Sequence, residues 1–152
     1  MGKVLVSDFI NEISPVIRTS VEKTSVVQGK DGKYIPAMIS CSPKVSYALA
    51  KNLDRCNRVL KTLQKKMDTI VKFKNDNSPL DEEGKVKVDE QNNILFTEEI
   101  KNEIDAKYKA FNEDEVDIDI YTVYESELET VTDSIFIAGL MSIKMINQDD
   151  DN

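Results

Sequence analysis

Residues 44–67 read KVSYALAKNLDRCNRVLKTLQKKM. Apolar side chains recur there in alternating steps of four and three. The seam is Leu49, Leu53, Cys56, Leu60, Leu63, Met67 and Ile70. Its mean step of about 3.5 residues is the period of a helix that packs along one edge, as in a coiled coil. Ser42-Pro43 stands just upstream as helix cap and first helical residue. No Pro or Gly follows until Pro79. The spacing therefore predicts a helix from 43 to about 74, roughly 48 Å long at 1.5 Å per residue. A rod of that length has to pack on another element or on a second subunit.

The same stretch carries cations seven residues apart: Lys44, Lys51, Arg58, Lys65 and Lys72. With the seam at the a and d positions, these five fall at f, on the opposite face. They read as a solubilising ridge, as a dock for the acidic C-terminal half of this chain or a neighbour, or as contacts for phosphate. Charge is strongly segregated along the chain. Residues 1–42 carry +1, 43–75 carry +7 and 76–152 carry −16, for a net charge of −8. Nucleic acid is disfavoured as a partner, because the whole chain repels phosphate at long range and the ridge lacks interleaved aromatics.

Other chemistry is bounded by composition. There is no histidine, which removes imidazole bases, Ser-His and Cys-His nucleophile pairs and His-containing zinc sites. Cys41 and Cys56 are too few for a thiolate zinc site and read as free structural thiols in a reducing compartment. No glycine-rich phosphate loop occurs, and no cofactor is implied. Apolar runs are too short to span a membrane. The start, MGKVLVSDFINE, lacks a secretory core and a myristoylation signal.

Elsewhere the chain alternates short elements. Phe9, Ile10, Ile13, Val16, Ile17 and Val21 have helical spacing, interrupted by Pro15, which suggests two short helices. GKDG at 29–32 separates two β-prone runs as a hairpin-like segment, with Pro36 confining the second run to an edge. KVKVDEQNNILF at 85–96 predicts a small hairpin turning at Asn92-Asn93. Thr97 caps a helix over 98–111 whose apolar face is Ile100, Ile104, Tyr108 and Phe111. EVDIDIYTV at 115–123 alternates as a half-buried strand. A last helix starts at Thr132 or Asp133 and runs through SIFIAGLMSIKMI.

Two sets of residues are candidate sites besides the ridge. Asp117 and Asp119 share one strand face and could hold a hard cation or divide acid and base roles, given a third ligand. The last helix is apolar almost all round, so Phe136, Leu140, Met141 and Met145 are either centrally buried or part of an interaction surface with the seam.

The stretches KVSYALAKNL, EEGKVKVDEQNNILFTEE, KYKAFNEDEVDIDIYTV and the closing apolar helix together resemble a family of small uncharacterised proteins encoded by tailed bacteriophages and prophages. The resemblance spans about residues 43–146. QGKDGKYIPAM departs from it and looks like an insertion. The resemblance implies phage origin and intracellular expression, and it implies no activity and no functional residues.

These readings set the expectations. The fold is α+β and helix-dominated: a long central amphipathic helix with a small β-hairpin or sheet and flanking shorter helices. A single domain covers 1–146: an N-terminal helix and hairpin-like insertion (1–42), the long helix (43–75), then hairpin, helix, strand and helix (76–146). An acidic tail follows at 147–152. The function expected is that of a non-enzymatic phage accessory protein acting by protein–protein contact, as a virion or assembly component or an inhibitor of a host defence protein. Self-association into a homo-oligomer is expected, in the cytoplasm of a bacterial host or within the virion. The alternatives are a small-molecule or nucleotide-binding oligomer using the ridge with Lys30 and Lys33, and a carboxylate-metal enzyme.

Overall fold

The structure is a computed structural model that describes residues 2–25, 27–35 and 37–148. The edge role expected of Pro36 and the end of the acidic tail, 149–152, lie outside the described residues. The fold is helix-dominated α+β, built around the long helix α3 (Pro43–Asp76). The chain divides into two compact units, 1–59 with 115–152, and 60–114, and α3 contributes its first half to one and its second half to the other.

Local signals place the ends of α3. The Ser42 hydroxyl accepts from the Val45 N–H at 3.4 Å, and Pro43 occupies the first turn, where no donor is missed. At the far end the Asn77 amide donates to the Phe73 carbonyl (2.9 Å) and the Ser78 hydroxyl to the Lys74 carbonyl (2.7 Å). The Phe73 carbonyl also accepts from the Asn77 N–H at 3.1 Å, and the Ser78 hydroxyl serves the Lys74 carbonyl in the last turn.

The buried stripe of α3 differs from the expected seam. It runs Val45, Leu49, Asn52, Cys56, Leu63 and Ile70, whereas Leu53, Leu60 and Met67 are half-buried. A straight helix returns to one direction every 3.6 residues, so a fixed direction starting at Val45 passes through 49, 52, 56, 59 or 60, 63, 67 and 70. Its members 49, 56, 63 and 70 are each seven apart, as are 45 and 52, so the stripe keeps the heptad spacing, with the half-buried 53, 60 and 67 along its edge. The seam is covered within the chain, so most of it is interior and is not a free interaction surface.

In the first unit, β1 (Lys3–Leu5) pairs antiparallel with β4 (Glu115–Asp117), with Val4 opposite Val116. Three helical segments then run on without a break: α1 (Val6–Asp8), a π-helical stretch (Phe9–Ile13) and α2 (Ser14–Thr24). Two separate helices were expected because of Pro15. Instead the turn before it widens, and the Ser14 N–H donates to the Phe9 carbonyl five residues back. A proline ring collides with the carbonyl four residues upstream in an α-helix, and the wider turn accompanies it without ending the helix. Phe9, Ile13 and Ile17 are buried. A short hairpin follows, β2 (Val27–Gln28) with β3 (Tyr34–Ile35), turned by Gly32 at φ +78°.

Residues 115–121 alternate as expected, with Ile118 and Ile120 inside, but the alternation breaks at Thr122, and Val123 is buried out of phase. Of residues 115–123, only the ends are strand: β4, and β5 (Val123–Tyr124), which pairs in parallel with β6 (Ile146–Asn147). A 3₁₀ turn (Glu125–Leu128) leads on to α5 (Ser134–Ser142). The Asp133 carboxylate caps α5 by accepting from the Phe136 N–H at 2.9 Å. The helix is shorter than expected. It closes in a Schellman turn: Met145 N–H donates to Leu140 C=O, Lys144 N–H donates to Met141 C=O (both 3.0 Å), and Lys144 takes φ +59°. The chain then turns back, and Met145 and Ile146 are not helical. Phe136, Leu140 and Met145 are interior, which corrects the reading of them as an interaction surface, while Met141 is 61% exposed. α5 packs on α2 and buries one face, Phe136 and Leu140, while Ile135 (75%) and Met141 stay exposed, so central burial accounts for only part of its apolar circumference.

In the second unit, the end of α3 runs antiparallel to α4 (Glu98–Glu113). Lys66 bonds Asp114 (2.8 Å), and Lys74 lies within 3.5 Å of the Tyr108 hydroxyl. Thr97 caps α4 as expected, accepting from the Ile100 N–H at 3.3 Å. Leu63, Ile70, Ile104 and Phe111 are the buried apolar residues of this helical pair. Residues 79–96 crown its tip. A single hairpin was expected there, but the crown is a three-segment meander built from one turn used twice. In DEEGK (81–85), Asp81 Oδ1 accepts from the Glu83 and Lys85 N–H groups, both at 2.9 Å. In DEQNN (89–93), Asp89 Oδ1 accepts from the Gln91 and Asn93 N–H groups, again at 2.9 Å. The left-handed position is Gly84 in the first turn (φ +80°) and Asn92 in the second (φ +66°). Bridges join Leu80 to Val86 and Val88 to Ile94.

The Asp89 carboxyl is held below its ordinary value of 3.8, chiefly by the Asn93 backbone N–H. A carboxyl with a depressed folded value contributes stability above its unfolded pKa, and that contribution is lost as pH falls through the folded value. Acidification below about pH 4 is therefore expected to open the second turn first. The amide protons of Gln91 and Asn93 should lose exchange protection and shift in NMR spectra before those of α3 respond. An Asp89→Asn variant should show no such acid step.

Candidate functional site

The five ridge cations are all on exposed positions of α3. Lys44 Nζ lies 3.5 Å from Glu127 Oε1, Arg58 pairs with Asp54 at 2.9 Å, and Lys72 with Asp76 at 3.9 Å. Seven residues fall about 20° short of two full turns, so the ridge winds by about 80° over its length and presents no single straight edge. Part of the opposite-charge attraction between α3 and the C-terminal half is satisfied within the chain, by Lys44–Glu127, Arg55–Asp119 and Lys66–Asp114.

Asp117 sits in β4 opposite Lys3, and Asp119 is 84% exposed at the side chain, 3.9 Å from Arg55. Among the described residues no group of three acidic or thiol side chains converges to hold a metal ion. The two aspartates are thus not joined by the third ligand that a metal reading requires.

The most developed concavity beside the ridge is a groove of about 450 Å³ in the first unit. Lys44 and Tyr47 from α3 form one wall, and Tyr121, Tyr124 and Glu127 from the returning chain form the other. The tyrosines are 54%, 40% and 54% exposed at positions 47, 121 and 124. Tyr47 and Tyr121 meet edge to face, with centroids 5.5 Å apart and planes at 80°. Lys51 Nζ lies 5.7 Å from the Tyr47 ring centre and 3.4 Å from its hydroxyl. The expectation that the ridge has no interleaved aromatic is corrected here. Tyr47 lies between Lys44 and Lys51 on α3, and the fold adds two more rings from a segment far away in sequence.

Asn52 holds this arrangement in place. It is fully buried on the stripe of α3. Its Oδ1 accepts from the Tyr121 N–H at 2.6 Å, and its Nδ2 donates to the Tyr121 carbonyl at 2.9 Å. Nδ2 also approaches the Met145 sulfur at 3.4 Å. One turn on, Arg55 Nη1 donates to the Asp119 carbonyl at 2.7 Å. Residues 118–122 belong to no strand, so a helix side chain supplies the pairing that a neighbouring strand would give. The amide fork thereby fixes where the Tyr121 ring stands.

The groove was not read from the sequence. The available signal for Asn52 was a polar residue in phase with Val45, Leu49 and Cys56. For Tyr47 it was an aromatic flanked by two ridge lysines. Nothing in sequence pointed to Tyr124. Among the described residues, no helix is long and apolar enough to cross a membrane. Compared with family models, curated proteins and solved structures, the chain matches none, so its function is argued from this geometry.

Proposed function

We propose that the protein is a non-enzymatic binding protein that works by protein–protein contact, with the tyrosine groove as its contact surface. The observation that carries this reading is the convergence of Tyr47, Tyr121 and Tyr124 on one groove whose backbone is locked by Asn52. Tyrosine offers a large amphipathic area at low entropy cost, and it is enriched among residues that dominate binding energy. A pre-set groove spares the partner most of the cost of ordering it. Lys44 and Glu127 place one charge of each sign at the lip, which suits a polypeptide segment with both polar and apolar side chains. The resemblance to small phage and prophage proteins supports the finer part of the proposal. The protein then acts as an accessory in the cytoplasm of a bacterial host, in particle assembly or as an inhibitor of a host defence protein.

The test compares wild type with Tyr47→Ala/Tyr124→Ala in affinity capture from bacterial cells, followed by mass spectrometry. Both side chains are half exposed, so the double variant should keep its circular dichroism and melting profile. Truncating an interface anchor costs about 2 kcal/mol or more, roughly thirtyfold in affinity. The protein recovered reproducibly with wild type should therefore disappear with the variant. Undiminished recovery would remove the groove from the proposal.

A further inference from the structure

We propose that the crown at 79–96 is a self-association surface, and that it seats on the cationic face of α3 in a second copy of this chain. This goes beyond the binding function above and does not depend on the tyrosine groove.

The first observation is a partly exposed apolar face, on which only Ile94 is half-buried. Leu80 is 58% exposed, Val86 41% and Val88 44%. The bridges set Leu80 opposite Val86 and Val88 opposite Ile94. Val86 and Val88 are two residues apart, so these four side chains share one face. A small meander is marginal in water unless such a face is packed. Yet the two turns are fully formed and share one hydrogen-bond scheme, so the crown presents a defined surface.

The second observation is charge, and it selects the occupant. The crown's turns carry Asp81, Glu82 and Glu83 at one end and Asp89 and Glu90 at the other, against Lys85 and Lys87 between them. Crown against crown would set like charges together. The complement is present in the same chain: residues 43–75 carry +7. Lys61 and Lys65, one turn apart on α3, are exposed and make no ion pair among the described residues. The middle segment, 85–89, separates the two acidic turns by about 13 Å. Lys61 and Lys65 lie about 16.5 and 10.5 Å from Lys72 along one exposed face of α3. Both turns can therefore meet cations on one helix face, while the apolar side chains lie on the lysine stems between them. The two patches differ, so the contact is head-to-tail and leads to a ring or an open chain, not a two-fold dimer. The apolar face is small beside the roughly 800 Å² per partner of a stable interface, so the association is weak and salt-dependent.

Sedimentation velocity over a concentration series, at low and high salt, tests this with charge swaps. Glu82 and Glu90 occupy equivalent positions in the two turns and take no part in the turn hydrogen bonds given above. Glu82→Lys/Glu90→Lys and Lys61→Glu/Lys65→Glu should each weaken self-association on the order of tenfold or more, and combining the four should restore it. High salt should weaken wild-type association. A wild type that stays monomeric throughout overturns the proposal. So does association that survives either reversal, or a folded four-fold variant that fails to recover. Leaving Tyr47 and Tyr124 untouched keeps the outcome separate from that of the groove.

Discussion

Replacing Asn52 with leucine should destabilise the protein by about 2–4 kcal/mol, although the new side chain is apolar and similar in size. The site is fully buried on the apolar stripe of α3, and by hydrophobicity alone leucine belongs there. What it cannot do is bond to Tyr121. The substitution strands the part-buried Tyr121 N–H and C=O together against an apolar side chain, and a backbone group without a partner costs up to about 1–3 kcal/mol. The added apolar burial offsets part of that loss. Urea titration should show a lower midpoint with an unchanged slope, the sign of lost stability without a change in unfolded area. N52D separates the two halves of the fork. An ionised carboxylate can still accept from the Tyr121 N–H, but it cannot donate to the carbonyl, and burial disfavours its charge. Its folded pKa is raised, so the variant should be nearest wild type below about pH 4 and lose stability as pH rises through the folded value. Wild type should show no such trend from this position. Equal stability of wild type and Asn52→Leu at neutral pH would show that the fork is dispensable. The groove should follow the fork: with Tyr121 released, Tyr47 loses its edge-to-face neighbour, and partner capture should weaken with no change at the groove's own side chains.

That position shows what could be read from the sequence and what could not. The ends of α3 and the starts of α4 and α5 were legible because their causes are local. Ser42, Thr97 and Asp133 each cap a donor three residues ahead. Alternation across 115–121 was legible for the same reason, since period two is written in neighbouring residues; the break at Thr122, where Val123 turns inward, was not. The partners of Asn52 lie 69 and 93 residues away, and no local pattern names them. The crown is an intermediate case. DEEGK and DEQNN carry the same turn chemistry, an aspartate followed three residues later by a residue that tolerates positive φ. Only the second was read as a turn between strands, because the first adjoins the break after α3. The heptad seam was legible for the same local reason, and its members 49, 56, 63 and 70 are the buried ones. Over 49–70 the 3.5 and 3.6 periods select nearly the same residues, and Val45 and Asn52, themselves seven apart, extend the stripe upstream. Most of the apolar seam is then covered within the chain, and the tyrosine groove and the crown are among the surfaces that stay exposed.

Leu140→Ala should cost about 3–5 kcal/mol, whereas Met141→Ala, at the next residue, should change stability by less than about 0.5 kcal/mol. Leu140 is fully buried in α5 and Met141 is 61% exposed. The leucine has a second duty, because its carbonyl closes the Schellman turn by accepting from the Met145 N–H. That turn brings the buried Met145 side chain beside the Asn52 amide. Truncating Leu140 thus leaves a cavity at the base of the turn that directs Met145 inward, and the loss exceeds the transfer energy of the missing carbons. The paired experiment also separates two accounts of this apolar helix. If α5 owed its composition to a partner surface, truncation of Met141 would impair binding and truncation of Leu140 would leave the isolated chain's stability nearly intact. If it is a core helix, thermal or urea melts should show a large loss for Leu140→Ala and almost none for Met141→Ala. The burial pattern predicts the second result. A small effect at Leu140 would mean that α5 is not packed as the structure has it, and the position of Met145 behind the Asn52 fork would fall with it.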